Sequence, residues 1–437
     1  MTIYRARVLD TPEDPFEGGV LRAEDDCALV VHEDVIVARG SLADVRKHDP
    51  HGLVIDLRDG WLLPGLVDTH VHYPQVRVIG ALGMPLLEWL ERCALPEECR
   101  LASDDYARLV AEEFCASLVA AGTTTALVFG SHFSGAVDQL FSVVEHYGLR
   151  VTSGLVVSDR GLPEDLLTTP ERAHAESVAL AEKWHGVGTI RYAVTPRFSF
   201  SAGDPILEAC AAAAADIGDA WFTSHVNENP AEVAEVARLF PRSAHYVGTY
   251  DDHGLLDERS VLAHDVHATD AELEVLAARG TAVAHCPSSN SALGSGLFPL
   301  GRHVDHGVRV ALGSDVGAGT GFSLFKEGLQ AYFVQRLLDD QGRPLTPAHL
   351  LHLATAAGAQ ALGLGDQVGD LSPGKAFDAI CLRPVRGTEL DIGLRHVGSA
   401  DEALGKIFTL ASDADVADVW VGGRQVASGG FVRHLPG

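Results

Sequence analysis

The middle of the chain, residues 66–366, alternates between short apolar runs and longer amphipathic stretches. A short apolar run between turn signals is typical of a buried strand, and apolar residues every three or four positions indicate a helix. The pattern predicts strands near 65–72, 124–130, 151–157, 189–195, 220–226, 260–264, 281–285 and 309–315. Eight alternating units over roughly 300 residues predict a (β/α)8 TIM barrel, in which active sites lie at the carboxyl ends of the strands.

Amphipathic helices are predicted between most of these strands. The clearest covers 103–122, SDDYARLVAEEFCASLVAAG, which begins at Ser103 as N-cap and stops at Gly122. Similar patterns predict helices over 170–186, 204–218 and 269–280.

The two ends of the chain follow a different pattern. Alternation with a period of two runs through TIYRARVL, CALVVHEDVIVARG and LVIDLRDGWLL, and returns in DAICLRPV and DVWVGGRQVASGG. This alternation, broken by Gly and Asp turns, indicates antiparallel strands. We therefore predict three parts: 1–65 and 367–437 together form a small composite β-sandwich, and 66–366 forms the catalytic barrel.

Composition and charge restrict the partners. The 437 residues are 46% hydrophobic and 21% charged, which is a globular composition. The formal net charge of −27 would repel a phosphate backbone or an anionic membrane, so neither nucleic acid nor a membrane is expected as a partner. Seven scattered cysteines without a CxxC pair and an N-terminus without a signal-peptide pattern predict a soluble, cytoplasmic protein.

Candidate metal ligands stand where predicted strands end. His70 and His72 are two residues apart on one strand, so both imidazoles face the same side. Alone, this pair is equally typical of two buried histidines satisfied by hydrogen bonds. His225, His264 and Asp315 then close three other predicted strands, and the ends of all barrel strands meet at one mouth. Imidazoles with one carboxylate suit zinc, with iron as a competitor for the same ligands.

The lysines indicate how many metal ions to expect. Many two-metal barrels of this kind bridge their metals with a carboxylated lysine late on the fourth strand. The chain has five lysines, and Lys183 belongs to the helix before the fourth predicted strand, not to its end. A site with a single metal ion is therefore expected.

Glu228 is the candidate proton shuttle. It follows His225 by three residues, a spacing that can bring its carboxylate back over a metal-bound water just beyond a strand end. Zinc lowers the pKa of such a water to about 7, and attack on a heteroaromatic carbon needs a ring nitrogen to be protonated. The alternative is a helix N-terminal charge placed ahead of Pro230.

Several motifs together resemble the amidohydrolase superfamily and, within it, the guanine deaminases. They are PGLVDTHVH, TPRFSF, SHVNEN, LAH, AHCPSSN and GSDVGAGTGFSL, and the similarity covers nearly the whole chain. The similarity to guanine deaminases rests on fewer residues: Gln75, the LLEWL stretch at 86–90, and Arg197 followed by Phe198.

The resemblance implies a role for each candidate at the metal. The implied zinc ligands are His70, His72, His225 and Asp315. His264 would hold the bound hydroxide or serve as a weak fifth ligand. Asp315 would also accept a proton from the water and pass one to the departing ammonia.

The resemblance also implies how a purine would be bound. Gln75 and Arg197 would form hydrogen bonds with the purine edge, with Arg197 facing the carbonyl oxygen, and Phe198 would be a wall for the ring. Glu228 would protonate the ring nitrogen. A flat, neutral base rich in donors and acceptors calls for such an amide, guanidinium and aromatic face.

The expected activity is a zinc-dependent hydrolytic deamination that converts guanine and water to xanthine and ammonia, part of purine catabolism. The alternative is a related aminohydrolase or chlorohydrolase acting on 8-oxoguanine, a pterin or an s-triazine. A non-catalytic scaffold is disfavoured because each catalytic position is filled. By analogy with relatives we expect a homodimer, and we take the long loop at 76–100 as a hypothetical lid.

Overall fold

The computed structural model describes residues 1–432, so the last part of the predicted segment 367–437, residues 433–437, lies outside the described residues. The strands are β1 Thr2–Asp10, β2 Arg22–His32, β3 Val35–Gly40, β4 Leu53–Pro64, β5 Leu66–His72, β6 Thr123–Phe129, β7 Arg150–Ser153, β8 Val156–Val157, β9 Arg191–Pro196, β10 Trp221–Val226, β11 Ser260–His264, β12 Ala282–His285, β13 Arg309–Leu312, β14 Ala379–Leu382, β15 Val416–Val421, β16 Arg424–Ser428 and β17 Phe431–Val432.

The α-helices are α1 Leu42–Val45, α2 Leu86–Trp89, α3 Leu95–Cys99, α4 Asp104–Ala120, α5 Ser134–Tyr147, α6 Pro170–Trp184, α7 Asp204–Ile217, α8 Pro230–Leu239, α9 Tyr246–Asp251, α10 Asp270–Arg279, α11 Pro287–Ala292, α12 Leu300–Asp305, α13 Leu324–Leu337, α14 Pro347–Ala354, α15 Ala356–Ala361, α16 Glu389–Leu394 and α17 Ala400–Leu410. Across residues 1–432, every helix is too short or too polar to cross a lipid bilayer.

The predicted barrel is confirmed. Its parallel strands follow one another in the order β5, β6, β7, β9, β10, β11, β12 and β13. The chain just after β13 returns to β5: the Asp315 amide donates to the His70 carbonyl at 2.8 Å, and the His72 amide donates to the Val316 carbonyl at 3.0 Å. These bonds bring the end of the last strand against the end of the first.

The third predicted strand, 151–157, is divided in the structure. β7 ends at Ser153, and the two-residue β8 begins at Val156 and pairs with β9. Gly154 lies between them, and a Cβ at this position would lie 1.8 Å from the Ala193 carbonyl oxygen. The chain therefore bends here by a close approach of backbone to backbone, which only glycine permits.

The helix predicted over 103–122 is α4. Its apolar face, with Val110, Phe114 and Leu118, is buried in the barrel core. Ser103 is the residue before the first turn, but its side chain forms no capping hydrogen bond. Gly122 ends the segment with φ of 86°, a left-handed value that favours glycine.

The two chain ends form one eight-stranded sheet, ordered β17-β16-β15-β14-β4-β1-β2-β3. The composite unit is joined where β14 pairs antiparallel with β4, Ala379 opposite Pro64. Alternate residues of β14 face opposite sides: Ala379 and Cys381 lie in the sheet's own core, whereas Ile380 and Leu382 pack into the barrel core. The period-2 pattern therefore reflects two buried faces.

The C-terminal segment also contains helices that the alternation did not predict. On α17 the buried residues are Ala403, Leu404, Ile407 and Phe408, and all belong to the barrel core. Phe408 contacts Phe325 of α13 with ring centroids 5.3 Å apart. The division at 65/66 and 366/367 remains a prediction, because part of 367–437 packs on the barrel.

Candidate active site

Two histidines at the end of β5 point to the same side, as their spacing predicts. His70 and His72 are both buried, and their Nε2 atoms lie 3.1 Å apart. Asp68, just before them, accepts hydrogen bonds from the amides of His70 (3.2 Å) and Ser314 (3.0 Å) and from Ser314 Oγ (2.5 Å). Burial raises the pKa of the Asp68 carboxyl to about 7. This residue ties the end of β5 to the chain that follows β13.

Five side chains from four strand ends meet at the barrel mouth, and we call them the cation cluster: His70, His72, His225, His264 and Asp315. His72 Nε2 lies 3.2 Å from His225 Nε2 and 3.2 Å from Asp315 Oδ1. Asp315 Oδ1 is 3.3 Å from His70 Nε2. His264 is further out, with its Nε2 3.8 Å from Asp315 Oδ2.

The cation cluster fits a metal ion. Ligands about 2.0–2.2 Å from a tetrahedral zinc ion are separated from one another by roughly 3.3 Å. His72 lies 3.1 to 3.2 Å from His70, His225 and Asp315, and His70 lies 3.3 Å from Asp315, so these four separations match this value. A second set, with His264 in place of His72, has all its ligand atoms within 4.8 Å of one another. Either set supplies three imidazoles and one carboxylate.

Hydrogen bonds behind two of the imidazoles fix which nitrogen faces the cluster. His225 Nδ1 lies 2.6 Å from the Arg197 carbonyl oxygen, which can only accept, so Nδ1 carries the proton and Nε2 keeps its lone pair. His264 Nδ1 lies 2.9 Å from Asn290 Oδ1 in the same arrangement. Both rings therefore present an unprotonated nitrogen to the barrel mouth, as a cation requires.

Burial also keeps the cluster in a form that binds cations. It lowers the pKa of His70 to about 4, and burial together with the neighbouring imidazoles lowers the pKa of His225 well below its usual value. Burial raises the pKa of Asp315, but hydrogen bonds from His70 and His72 lower it more, and the net pKa is well below the usual value. His70 and His225 are therefore neutral and Asp315 is ionised at neutral pH.

The backbone is strained where these side chains leave the strands. His264 has φ of 75°, Asp315 has φ of 48°, and Asn227, two residues after His225, also has φ of 48°. Such values are uncommon outside glycine and cluster at functional sites. Backbone strain thus occurs at three of the four strand ends that carry the cation cluster.

Glu228 lies beside the cation cluster and is buried. Its Oε1 accepts from Ser295 Oγ at 3.2 Å, and its Oε2 lies 3.6 Å from His264 Nε2. Burial, reinforced by the charge of Asp315, raises the pKa of Glu228 to about 8. The alternative role, a charge at a helix N-terminus, belongs to Glu232 instead, which accepts from the amides of Glu228 and Asn229, each at 3.2 Å.

One side of the cavity above the cluster is formed by Gln75, Arg197 and Phe198, which we call the side wall. Arg197 and Phe198 directly follow β9, and Gln75 lies in a 3₁₀ helix that follows β5. Gln75 Nε2 is 3.3 Å from His72 Nδ1, so the side wall contacts the cluster. The cavity is lined by His72, Gln75, Leu86, Trp89, Leu90, Arg197, Phe198, His225, Glu228, His264, Leu293, Asp315 and Ala318.

All the predicted site residues thus come together; His70 does not line the cavity but contacts His72 and Asp315, which do. The metal count stays a prediction: Lys183 lies in the last turn of α6 and pairs with Asp138 at 2.5 Å, outside the cation cluster. Two residues were missed by the sequence analysis. Glu98 forms a bidentate ion pair with Arg197, and His132 Nε2 lies 3.4 Å from Arg197 Nη1. Glu98 is one of three acidic residues in the stretch ERCALPEECR that follows LLEWL, so the sequence does not single it out.

The segment 76–100, which we call the cover segment, is mostly helical. It contains α2, a π-helical turn at Leu90–Ala94, and α3. Its apolar side chains form a small core of their own with Phe198, Leu293 and Ala318, separate from the barrel core. The cover segment therefore closes one side of the cavity; its motion as a lid stays a prediction.

Comparisons with known proteins agree with this geometry. The model of the amidohydrolase family matches residues 61–426. The chain is 57% identical to the probable guanine deaminase of Deinococcus radiodurans over 432 residues, 98% of each chain. It superposes on E. coli guanine deaminase with a TM-score of 0.94 at 34% identity, over 98% of this chain and 100% of that one. The guanine deaminase of C. acetobutylicum with guanine bound in its active site gives a TM-score of 0.90 at 25% identity, over 97% and 99%.

Proposed function

This chain belongs to the amidohydrolase family, in the branch that contains the guanine deaminases, and we propose that it converts guanine and water to xanthine and ammonia. It is a hydrolase acting on a carbon–nitrogen bond. One observation carries the choice of guanine: the cation cluster, Glu228 and the side wall share a single cavity. A metal-centred hydrolytic group and a set of donors for a flat base thus face the same space.

The proposed cofactor is one zinc ion, with iron as the alternative, held by His70, His72, His225 and Asp315. Support comes from ligand separations of 3.1 to 3.3 Å, which suit a small tetrahedral cation. When bound, such an ion is a Lewis acid that makes water a competent nucleophile at neutral pH. His264 is proposed to hold the attacking water or to act as a weak fifth ligand, in keeping with its outer position.

The side wall is proposed to bind and orient the base. Phe198 supplies an aromatic face for the ring, Arg197 donates to the carbonyl oxygen, and Gln75 binds the same edge. Flat stacking with fixed donors aligns the amino-bearing ring carbon with the cluster, and this alignment supplies part of the rate enhancement.

Two carboxyl groups are proposed to move the protons. Glu228 protonates the ring nitrogen beside the reacting carbon, and its raised pKa of about 8 leaves it protonated at neutral pH. Asp315, whose pKa is well below the usual value, accepts a proton from the attacking water and passes it to the departing ammonia. As the carbon–nitrogen bond breaks, the added hydroxyl becomes the carbonyl and returns its proton to Glu228. The two environments push the pKa values apart, which suits an acid and a base in one site.

The test is ammonia release from a small panel of heterocycles by the purified, metal-analysed protein. Guanine, 8-oxoguanine, a pterin and an s-triazine are compared by kcat/KM. We expect the highest value for guanine and about one zinc ion per chain. A higher value for another member of the panel would replace guanine as the substrate. No ammonia from guanine, with the metal loaded, would contradict the proposal.

Three further features are carried forward as proposals. The protein forms a homodimer, resides in the cytoplasm, and serves purine catabolism; light scattering of the purified protein and fractionation of cells that produce it check the first two. The composite domain is proposed to comprise 1–65 and 367–437, with 66–366 as the catalytic barrel. Limited proteolysis should then cut near residue 366, where Asp366 and Gln367 are exposed, and not at the buried boundary near residue 65.

A further inference from the structure

Glu98 lies behind the side wall and holds two of its members at once. It belongs to α3 of the cover segment, and its side chain is only 3% exposed. Oε1 accepts from Gln75 Nε2 at 2.8 Å and from Arg197 Nη2 at 3.0 Å, and Oε2 accepts from Arg197 Nη1 at 2.6 Å. Gln75 and Arg197 line the cavity, whereas Glu98 is not among the described residues that line it.

The orientation of the Gln75 amide depends on Glu98. A carboxylate can only accept, so it requires the amide nitrogen on its side. On the other side the Gly317 amide donates to Gln75 Oε1 at 3.2 Å and requires the amide oxygen there. With both partners present the amide has one orientation. Without Glu98, the amide would keep only the bond from the Gly317 amide at 3.2 Å and the contact of its Nε2 with His72 Nδ1 at 3.3 Å. Both are long, so less would oppose a flip that exchanges donor and acceptor toward a bound base.

The same carboxylate fixes the orientation of the planar Arg197 guanidinium. A bidentate pair between a guanidinium and a carboxylate fixes geometry as well as charge. Burial raises the pKa of Glu98, but Arg197 and His132 lower it more, and the net pKa is below the usual value, so the carboxylate is ionised. The buried pair is therefore neutral overall. Arg197 therefore presents a hydrogen-bond donor in a fixed orientation to the cavity, and its positive charge is balanced by Glu98.

We propose that Glu98 is the positioning residue of the side wall: it locks Gln75 and Arg197 into one unit, which selects neutral heterocycles that carry a ring carbonyl. This inference rests on the proposed deamination of guanine. An unpaired Arg197 would attract any anionic ligand by its charge. When it is paired with Glu98, Arg197 instead binds ligands that place an oxygen acceptor within hydrogen-bond distance of its donors. Selectivity then depends on a residue that has no contact with the ligand.

The test compares Glu98→Gln with the matched control Glu97→Gln, its neighbour on α3. Glu97 is also buried but binds Tyr106 and Arg100 instead of the side wall. Kinetics are measured with guanine and with 2-aminopurine, which keeps the amino group and lacks the carbonyl. The latter is followed as a substrate or as a competitive inhibitor. Metal content is measured in all variants.

For Glu98→Gln we expect the KM for guanine to rise at least thirtyfold and kcat to stay within about fivefold, since binding is lost more than chemistry. The preference for guanine over 2-aminopurine should fall at least tenfold, with metal content unchanged. Glu97→Gln should keep both the KM and the preference. If Glu98 only supported the fold, less active enzyme would lower kcat for both compounds and leave KM and preference unchanged, and this outcome overturns the inference.

A second variant keeps the test decisive if Glu98→Gln is recovered unfolded. Glu98→Asp retains the charge but is one methylene too short to reach both partners. It should raise the KM for guanine about tenfold and reduce the preference to an intermediate value; an unchanged KM and preference overturn the inference. Failure of the proposed function is read separately, in the unmodified protein: no ammonia from guanine there overturns the function and this inference with it.

Discussion

The cation cluster and the side wall face the same cavity but are held by different parts of the fold. The cluster extends from strand ends that are fixed by barrel hydrogen bonds, such as those from the Asp315 amide to His70 and from the His72 amide to Val316. The side wall depends on loops, on Glu98 and on the small separate core of the cover segment. The residues proposed for the reaction thus lie on the rigid barrel strands, whereas the residues proposed to recognise the substrate lie on loops, which can vary.

The largest expected effect comes from breaking the cluster. His225→Ala removes one of the proposed ligands, so metal content should fall to near zero and kcat/KM by at least about 10⁴-fold. Elemental analysis and ammonia release measure both. The control is His285→Leu, which changes a buried histidine at the end of β12, between two of the strands that carry the cluster but outside the cluster itself. It should keep its metal; equal metal loss in both variants would mean that the cluster does not define the site.

Removing Glu228, the proposed proton donor, should reduce activity less than loss of His225 and should leave the metal in place. For Glu228→Gln we expect kcat to fall by about 10³-fold, within the range for general acid catalysis, with unchanged metal content. The control Glu232→Gln removes a buried carboxyl that caps α8, and it should lower thermal stability more than kcat. A Glu228→Gln enzyme with normal kcat would exclude Glu228 as the donor.

Disruption of the side wall should affect binding in particular. Arg197→Ala should raise the KM for guanine about a hundredfold, the scale of a lost charge-assisted hydrogen bond in a buried site, with metal retained. Arg191→Ala, at the opposite end of β9, serves as control; it should lower stability and leave KM unchanged. A normal KM in Arg197→Ala would show that the base is recognised elsewhere.

The pH dependence of kcat/KM should reflect the ionisation of Glu228, the proposed acid beside the cation cluster. Glu228 must be protonated to donate, and burial raises its pKa to about 8. From this group, kcat/KM should therefore be level below about pH 8 and should fall about tenfold per unit above it. Rates measured between pH 6 and 10 test this. The residual activity of Glu228→Gln should lack the decline, and a level profile to pH 10 in the unmodified enzyme would contradict the assignment.

The raised pKa of Glu228 also makes the free energy of unfolding depend on pH. A carboxyl whose folded pKa exceeds its unfolded value favours folding most when it is protonated in both states, at low pH. That contribution is lost as the pH rises from about the ordinary value of 4.5 through about 8. Glu228→Gln should accordingly be relatively more stable than the unmodified protein at pH 9, as measured by thermal unfolding without added metal.

The smallest effect is expected from the cover segment. Removing residues 81 and 82 at its exposed tip, between Gly80 and Gly83 with φ near 90°, should raise KM a few-fold if the segment acts as a lid. Steady-state kinetics with guanine measure this. Unchanged kinetics would count against a lid and would leave the cover segment as a static wall.

Much of the cluster could be predicted from the sequence because strand ends are local features. His70, His72, His225, His264 and Asp315 each follow an apolar run, and the barrel topology brings such ends together. The β14 alternation likewise predicted its sheet. In these cases a short pattern determines the neighbours.

The features that the sequence did not predict depend on contacts between segments that are distant along the chain. Glu98 and Arg197 are 99 positions apart and meet only because the cover segment packs on Phe198. The break between β7 and β8 follows from the approach of Gly154 to Ala193, and the strained φ values at His264 and Asp315 arise from the assembled mouth. Periodicity carries no information on such packing.

The pairing of β4 with β14 has a consequence for protein synthesis. On the ribosome β4 emerges early, and its partner β14 emerges only after roughly three hundred further residues, so one edge of β4 stays unpaired during most of translation. An unpaired strand edge invites intermolecular pairing, and chaperone cover is most needed during that interval. Nonsense mutations that remove the last strands should therefore yield insoluble chains even though they spare every catalytic side chain.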